Sequence, residues 1–275
     1  MKLFDDRFTG IISPHRVYAL CKLVEYESMT KEELMNYLEP VGLNAKQEKF
    51  KDVFSFADGD LVFQNADGKV ISKLTDKELE SHEAFRSAIA RRVFCRDDLM
   101  FTRFTCWYIA RGERVYSESA DDLAVAFDKE LNLKDVMNKY NATNIRAWRP
   151  WACYLGFGFI HSGKVIPNVF IRLEDCIKND SKLTRNKQMQ FKKFMDWLVR
   201  TCPELDGGEI FTKNVGHAEV EKQKLSVGLS VGLRTLHDRK VIRLEYVKDA
   251  TDVWHMNGAE SHEIADRVSA ITVLR

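Results

Sequence analysis

Apolar positions along the chain fall into short helical stripes, and each group of stripes gives way to segments of alternating polarity. Val17, Leu20, Cys21 and Val24 form the first stripe, in a helix that Ser13 caps and Pro14 opens, running to about Glu27. Thr30 stands three residues before Glu33, a capping box, and Leu34, Tyr37 and Leu38 give a short second helix its buried face before Pro40 stops it. A third helical segment over about 45–57 carries Phe50, Val53, Phe54 and Phe56. "LVFQNADGKVIS" then alternates as two strands around an Asp67-Gly68 turn. Three helices and a hairpin are the order of a winged helix.

The same order is expected in the middle of the chain. "DDLMFTRFTCWYIARG" predicts a helix opened by Asp97 or Asp98, and "SADDLAVAFDKEL" one capped by Ser119, with Leu123, Phe127 and Leu131 at helical spacing. "NIRAWRPWACYLGFGFI" predicts a third helix beginning after Asn144, and "IHSGKVIPNVFIRL" a strand, a Gly163 turn and a second strand. Residues 183–202 predict one long amphipathic helix whose apolar side is Met189, Phe191, Phe194, Met195 and Leu198. Its cations Arg185, Lys187, Lys192, Lys193 and Arg200 form a solvated face or a phosphate-contacting one. "PELDGGE" then looks like a linker, which divides the chain into modules 1–75, 76–202 and 203–275. In the last module Leu225, Leu229, Leu233 and Leu236 predict the buried side of a helix, and on a neighbouring stripe Gly228 and Gly232 leave room for another helix to approach closely. "VIRLEYV" and "DVWHM" predict a wing, and "HEIADRVSAITV" a closing strand. The expected class is therefore α+β, mainly helical, built of tandem winged-helix-like modules.

Composition narrows the chemistry. Of 275 residues, 42 are Lys or Arg and 41 Asp or Glu, so the net charge of +1 gives the whole molecule no attraction to nucleic acid, and a basic surface must be local. The six cysteines show no CxxC spacing and sit mostly in apolar segments, which predicts buried free thiols in a reducing cytoplasm. No apolar run approaches the roughly 20 residues of a membrane helix, and the start lacks the pattern of an export signal. Phosphate-binding loops, GxGxxG and HExxH are missing, and the closest pair of histidines with any ligand-like spacing, His255 and His262, flanks an expected loop. No cofactor or metal is expected. "PELDGGEIFTK" places Glu204, Asp206, Glu209 and Lys213 near one another as a divergent nuclease signature would, but without the tight E-x-K spacing.

Binding leaves more positive signs. Asn144, Arg146 and Arg149, at the start of the middle module's third helix, have the placement of recognition-helix residues that face base edges and phosphates; the bland reading is a solvated edge over a Trp148–Trp151–Tyr154 core. Ser226, Ser230 and Arg234 repeat every four residues as a polar edge that ends in His237, Arg239 and Lys240, suited equally to a DNA groove and to a protein partner.

"LSVGLSVGLRTLHDRKVIRLEYVKDATDVWHM", with "FRSAIARRVFCRDDLMFTRFTCWYIARG" and "EELMNYLEP", resembles the DpdG family, an accessory component of bacterial clusters that insert 7-deazaguanine derivatives into DNA and restrict unmodified DNA. The resemblance implies work on DNA beside other subunits, such as a helicase or nuclease, and supplies no catalytic residue. The expected function is a cytoplasmic, non-catalytic DNA-binding and scaffolding subunit of a DNA-modification, restriction or phage-defence complex. A pure protein adaptor is the alternative, and a metal-dependent nuclease the third.

Overall fold

The Ser13 hydroxyl accepts the Arg16 amide at 3.4 Å and starts α1 (Pro14–Tyr26), and the Thr30–Glu33 capping box starts α2 (Lys31–Leu38). The computed structural model describes residues 3–4, 8–132, 140–215, 223–257, 262–264 and 266–274. α3 (Glu48–Ala57) follows, then the antiparallel pair β1 (Val62–Gln64) and β2 (Val70–Ser72), with Phe63 opposite Ile71 and the turn made by Gly68 at φ +75°. The Val70 amide donates to the Met29 carbonyl, so the segment between α1 and α2 edges the hairpin. Val17, Leu20, Leu34, Phe50, Val53 and Phe54 close the core of this unit.

The short α4 (Asp76–Leu79) and α5 (His82–Val93) lead to a second set: α6 (Met100–Ala110), α7 (Ala120–Glu130), α8 (Ala142–Tyr154) and the antiparallel hairpin β3 (Gly158–His161) and β4 (Lys164–Pro167). Three details differ from expectation. Leu99 stands at the N-cap of α6 without a side-chain bond, because Asp97 pairs with Lys213 and Asp98 with Arg96. α8 begins before Asn144, capped by Asn141. The strand expected after the Gly163 turn is β4 but stops at Pro167, and the rest of that segment opens α9 (Phe170–Asn179); Leu173, Cys176 and Ile177 keep a helical stripe that only the residues after the apolar run reveal.

The last set contains β5 (Gln188–Gln190), α10 (Phe191–Thr201), α11 (Glu209–Asn214), α12 (Val227–Asp238), β6 (Ile242–Glu245), β7 (Trp254–His255), β8 (Arg267–Val268) and β9 (Ala270–Val273). The expected single helix over 183–202 is thus a strand and a shorter helix: Gln188–Gln190 pairs with Thr272–Ala270, and Arg185 turns back to donate to the Ile177 carbonyl at 2.7 Å, closing the end of α9. The expected wing is also rearranged. β6 pairs with β9, Leu244 opposite Ile271, while β7 pairs with β8 in a separate ribbon. The closing strand expected near the end is the centre of a sheet ordered β5-β9-β6.

Two packing features join the sets. Gly232 brings α12 against the start of α9, where an added Cβ would meet the Phe170 backbone nitrogen and a Val169 methyl at 3.0 Å, and the Val169 amide donates to the Gly228 carbonyl. The middle of "PELDGGE", Glu204 to Asp206, is interior, against the linker expectation. Glu204 is 0% exposed and its carboxylate takes the Arg172 guanidinium at 2.7 Å. Asp206 accepts the Ser226 amide at 2.5 Å and hydroxyl at 2.9 Å, and a Cβ on Gly208 would strike the Pro203 carbonyl oxygen. A module boundary at 202/203 therefore falls inside a packed segment, and β5 with α10 sits on the C-terminal sheet. One contiguous apolar core runs from Leu3 to Val273.

Candidate nucleic-acid interface

The structure sorts the residues expected to contact DNA into two kinds. Asn144 is buried; its side chain accepts the Asn141 amide at 3.0 Å and donates to the Phe8 carbonyl at 3.3 Å, so it staples α8 to the N-terminal segment and faces no groove. Ser226 caps α12, accepting the Leu229 amide at 3.2 Å. Ser230 is buried and accepts the Asn257 amide at 3.0 Å, and buried Arg234 donates to the Ile264 carbonyl at 2.8 Å and the Asn257 carbonyl at 2.5 Å. The polar edge of α12 is thus an internal clasp on Asn257 and Ile264. A run of polar residues four apart looks the same whether it meets base edges or backbone carbonyls, so periodicity alone does not separate them.

Arg146, Arg149, Arg239 and Lys240 remain at the surface. Arg146 reaches Asp121 at 3.2 Å, and Arg149 is half-buried, with burial pulling its pKa below the ordinary range. The Arg239 guanidinium lies 5.3 Å over the Phe170 ring, and Lys240 ends α12 at φ +55°. These two pairs stand on separate helices, α8 and the end of α12.

A different set of cations converges. α10 places Lys193, Trp197 and Arg200 at i, i+4 and i+7, one face of the helix. The turn after α9 supplies Lys182 and Thr184, Lys187 stands just before the edge strand β5, and β5 itself supplies Gln188 and Gln190. Together with Val247, Ala250, Ser269 and Ala270 they enclose a groove of about 760 Å³. Its lining contains four cations and no carboxylate. Three nearby acids have partners of their own. Asp180 accepts the Trp197 indole at 2.7 Å, which holds its carboxyl below the usual range; Asp196 pairs with Lys192; Glu245 accepts Gln188 at 2.9 Å. The N-cap of α10, Gln190, makes no side-chain capping bond, so the positive end of the helix opens at the same place. Ammonium groups, a guanidinium and amide donors around a carboxylate-free floor suit phosphate oxygens. Sequence spacing puts Lys187, Lys193 and Arg200 together with Arg185 and Lys192 on one helix; it misses Lys182, which only the fold brings in.

The acids of the nuclease alternative are dispersed among other contacts: Glu204 on Arg172, Asp206 on Ser226, Glu209 on Lys213. Among the described residues no group of three or more His, Cys, Asp or Glu is placed to hold a metal ion, and no helix is long and apolar enough to cross a membrane.

The fold and groove define a class: a mainly helical α+β protein with small antiparallel sheets and a basic groove beside the β5-β9-β6 sheet. The sequence profile of the DpdG-like family matches residues 9–250 of the 275, and the chain belongs to that family. Membership links it to a DNA-modification cluster. No curated protein and no solved structure matches the chain.

Proposed function

We propose that the protein is a non-catalytic DNA-binding and scaffolding subunit of a bacterial complex that modifies DNA or restricts DNA lacking the modification. The groove lined by Lys182, Lys187, Lys193 and Arg200 carries this reading, because a molecule of net charge +1 concentrates four cations there without an opposing carboxylate. The three-helix units are taken as winged helices, whose third helices and hairpins are a common route to the DNA major groove.

Fluorescence anisotropy of labelled duplex DNA tests it. The triple variant Lys187→Glu, Lys193→Glu, Arg200→Glu should weaken binding and flatten the dependence of log K on log salt, by roughly 0.9 for each phosphate no longer neutralised. Reversal at Arg146 and Arg149, or at Arg239 and Lys240, should do less. Wild-type affinity and slope in the groove variant, with weakened binding in either of the other pairs, would move the contact to the third helices. A pure adaptor has support of its own: Phe159 and Ile160 stand 51% and 52% exposed on the β3–β4 hairpin, as apolar residues at a protein interface do. Failure of the wild-type protein to bind any DNA at about 50 mM salt, where backbone contacts are strongest, replaces the DNA reading with that one.

A further inference from the structure

The N-terminal unit has a second concavity of opposite character. The start of α1, the end of α2 and the start of α3 enclose about 410 Å³, floored by Ala19, Leu38, Phe50 and Val53. That is inside the roughly 300–1,000 Å³ span of ligand pockets. Its wall is built by internal bonds. The Glu39 carboxylate accepts the Phe50 amide at 2.7 Å and the Asn44 side chain at 2.5 Å, and Gln47, in left-handed backbone at φ +49° and ψ +35°, donates to the Glu39 carbonyl at 2.8 Å. Burial works to raise the Glu39 carboxyl, but these donors outweigh it and keep it below its ordinary value. Arg16 and Lys49 are exposed at the mouth, where their charges also favour the Glu39 carboxylate and one Arg16 nitrogen donates to the Ile11 carbonyl at 2.8 Å.

The lip is apolar and unusually bare. Leu43, which lines the pocket, is 85% exposed, and its neighbours Val41 and Tyr37 are 56% and 67% exposed. A phosphate backbone gains nothing from Leu43, Phe50 and Val53, whereas an aliphatic anchor does. A groove with an apolar floor and cationic mouth complements a helix with an apolar stripe flanked by carboxylates.

We propose that this groove docks an amphipathic helix of a partner protein, with apolar anchors on Leu43, Phe50 and Val53 and flanking Glu or Asp residues on Arg16 and Lys49. The proposal deepens the scaffolding half of the function proposed above; the DNA half rests on a different surface.

The probe is a fluorescein-labelled helix-forming peptide with Leu at i, i+3 and i+7 and Glu on both flanks, beside a twin with Lys for every Glu. The full-length protein should bind the Glu peptide and discriminate against the Lys twin by about ten-fold or more. Leu43→Glu, at an exposed position, should abolish binding with an unchanged melting curve, and Lys49→Glu should shift preference toward the Lys twin. Duplex-DNA anisotropy should be the same in both variants, which separates this site from the basic groove. A photocrosslinker at Leu43 in the assembled complex should capture an acid-flanked helical segment of another protein. Equal binding of the two peptides, no binding, or indifference to Leu43→Glu overturns the proposal. So does crosslinking to DNA or to a second copy of this chain.

Discussion

Glu204→Ala is the most severe single truncation expected here. Glu204 is fully buried, and its Oε1 takes the Nε of Arg172 at 2.7 Å, while Arg172, itself 6% exposed in its side chain, also reaches the Cys176 sulfur at 2.9 Å. Burial alone pulls the Arg172 pKa down, but the charge of Glu204 outweighs it and holds the pKa well above the ordinary value. Removing Glu204 strands a guanidinium in the interior, and breaking such a pair costs about 3–5 kcal/mol. At about 2.1 cal/mol/K per residue, an unfolding entropy over 275 residues is roughly 0.6 kcal/mol/K, so the melting temperature should fall by about 5–9 °C if the chain unfolds as one unit. Differential scanning calorimetry at pH 7 reads this directly. The double variant Arg172→Met, Glu204→Leu should recover most of the deficit, because two well-packed apolar side chains leave no charge unpaired. A fall under about 2 °C for Glu204→Ala, or a double variant worse than the single, would refute the burial of the Arg172–Glu204 pair.

Gly232→Ala gains roughly 1 kcal/mol of helix propensity but drives a methyl against the Phe170 backbone, so a net destabilisation of about 1–2 kcal/mol in urea unfolding is expected; stabilisation would show that α12 shifts freely on α9. Glu78 is pushed up by burial but pulled down further by Arg92, the Thr75 amide and Arg91, from 4.5 to about 2. A carboxyl depressed in the folded state stabilises fully above the unfolded pKa and loses that contribution as pH falls from 4.5 to about 2, so Glu78→Gln should flatten the stability profile in that window; an identical profile would contradict the pairing. Cys95 is exposed while burial pushes the Cys21 thiol up to about 12, so a thiol reagent should show a fast phase that Cys95→Ser removes and Cys21→Ser leaves intact.

Local signals carry the first unit well, because its elements are fixed by neighbours in sequence: Ser13 and Thr30 cap what they precede, and Gly68 turns the strands it separates. The last unit is less legible. β6 finds its partner at β9, across the whole β7–β8 ribbon, and a three-residue strand such as Gln188–Gln190 has too short an alternation to stand out from the helix it adjoins. The glycines of "PELDGGE" suggest a loop, and the segment is irregular, but Glu204 and Asp206 have partners at Arg172 and Ser226 that spacing cannot supply. For the candidate site, charge is visible in the sequence and direction is not. Arg234 and Lys193 look alike there; one is clasped to backbone carbonyls and the other lines the open groove.

The central position of β9 has a bearing on synthesis. β5 and β6 are bonded to β9 and not to each other, and Ser269 and Ala270 form part of the wall beside Lys187 and Lys193. A nascent chain can therefore complete its N-terminal unit early, whereas the basic groove cannot close until β9 has left the ribosome and inserted between two waiting edges. Synthesis of β9 and closure of this groove are thereby coupled, so the order of strands in the sheet sets when the surface can first exist.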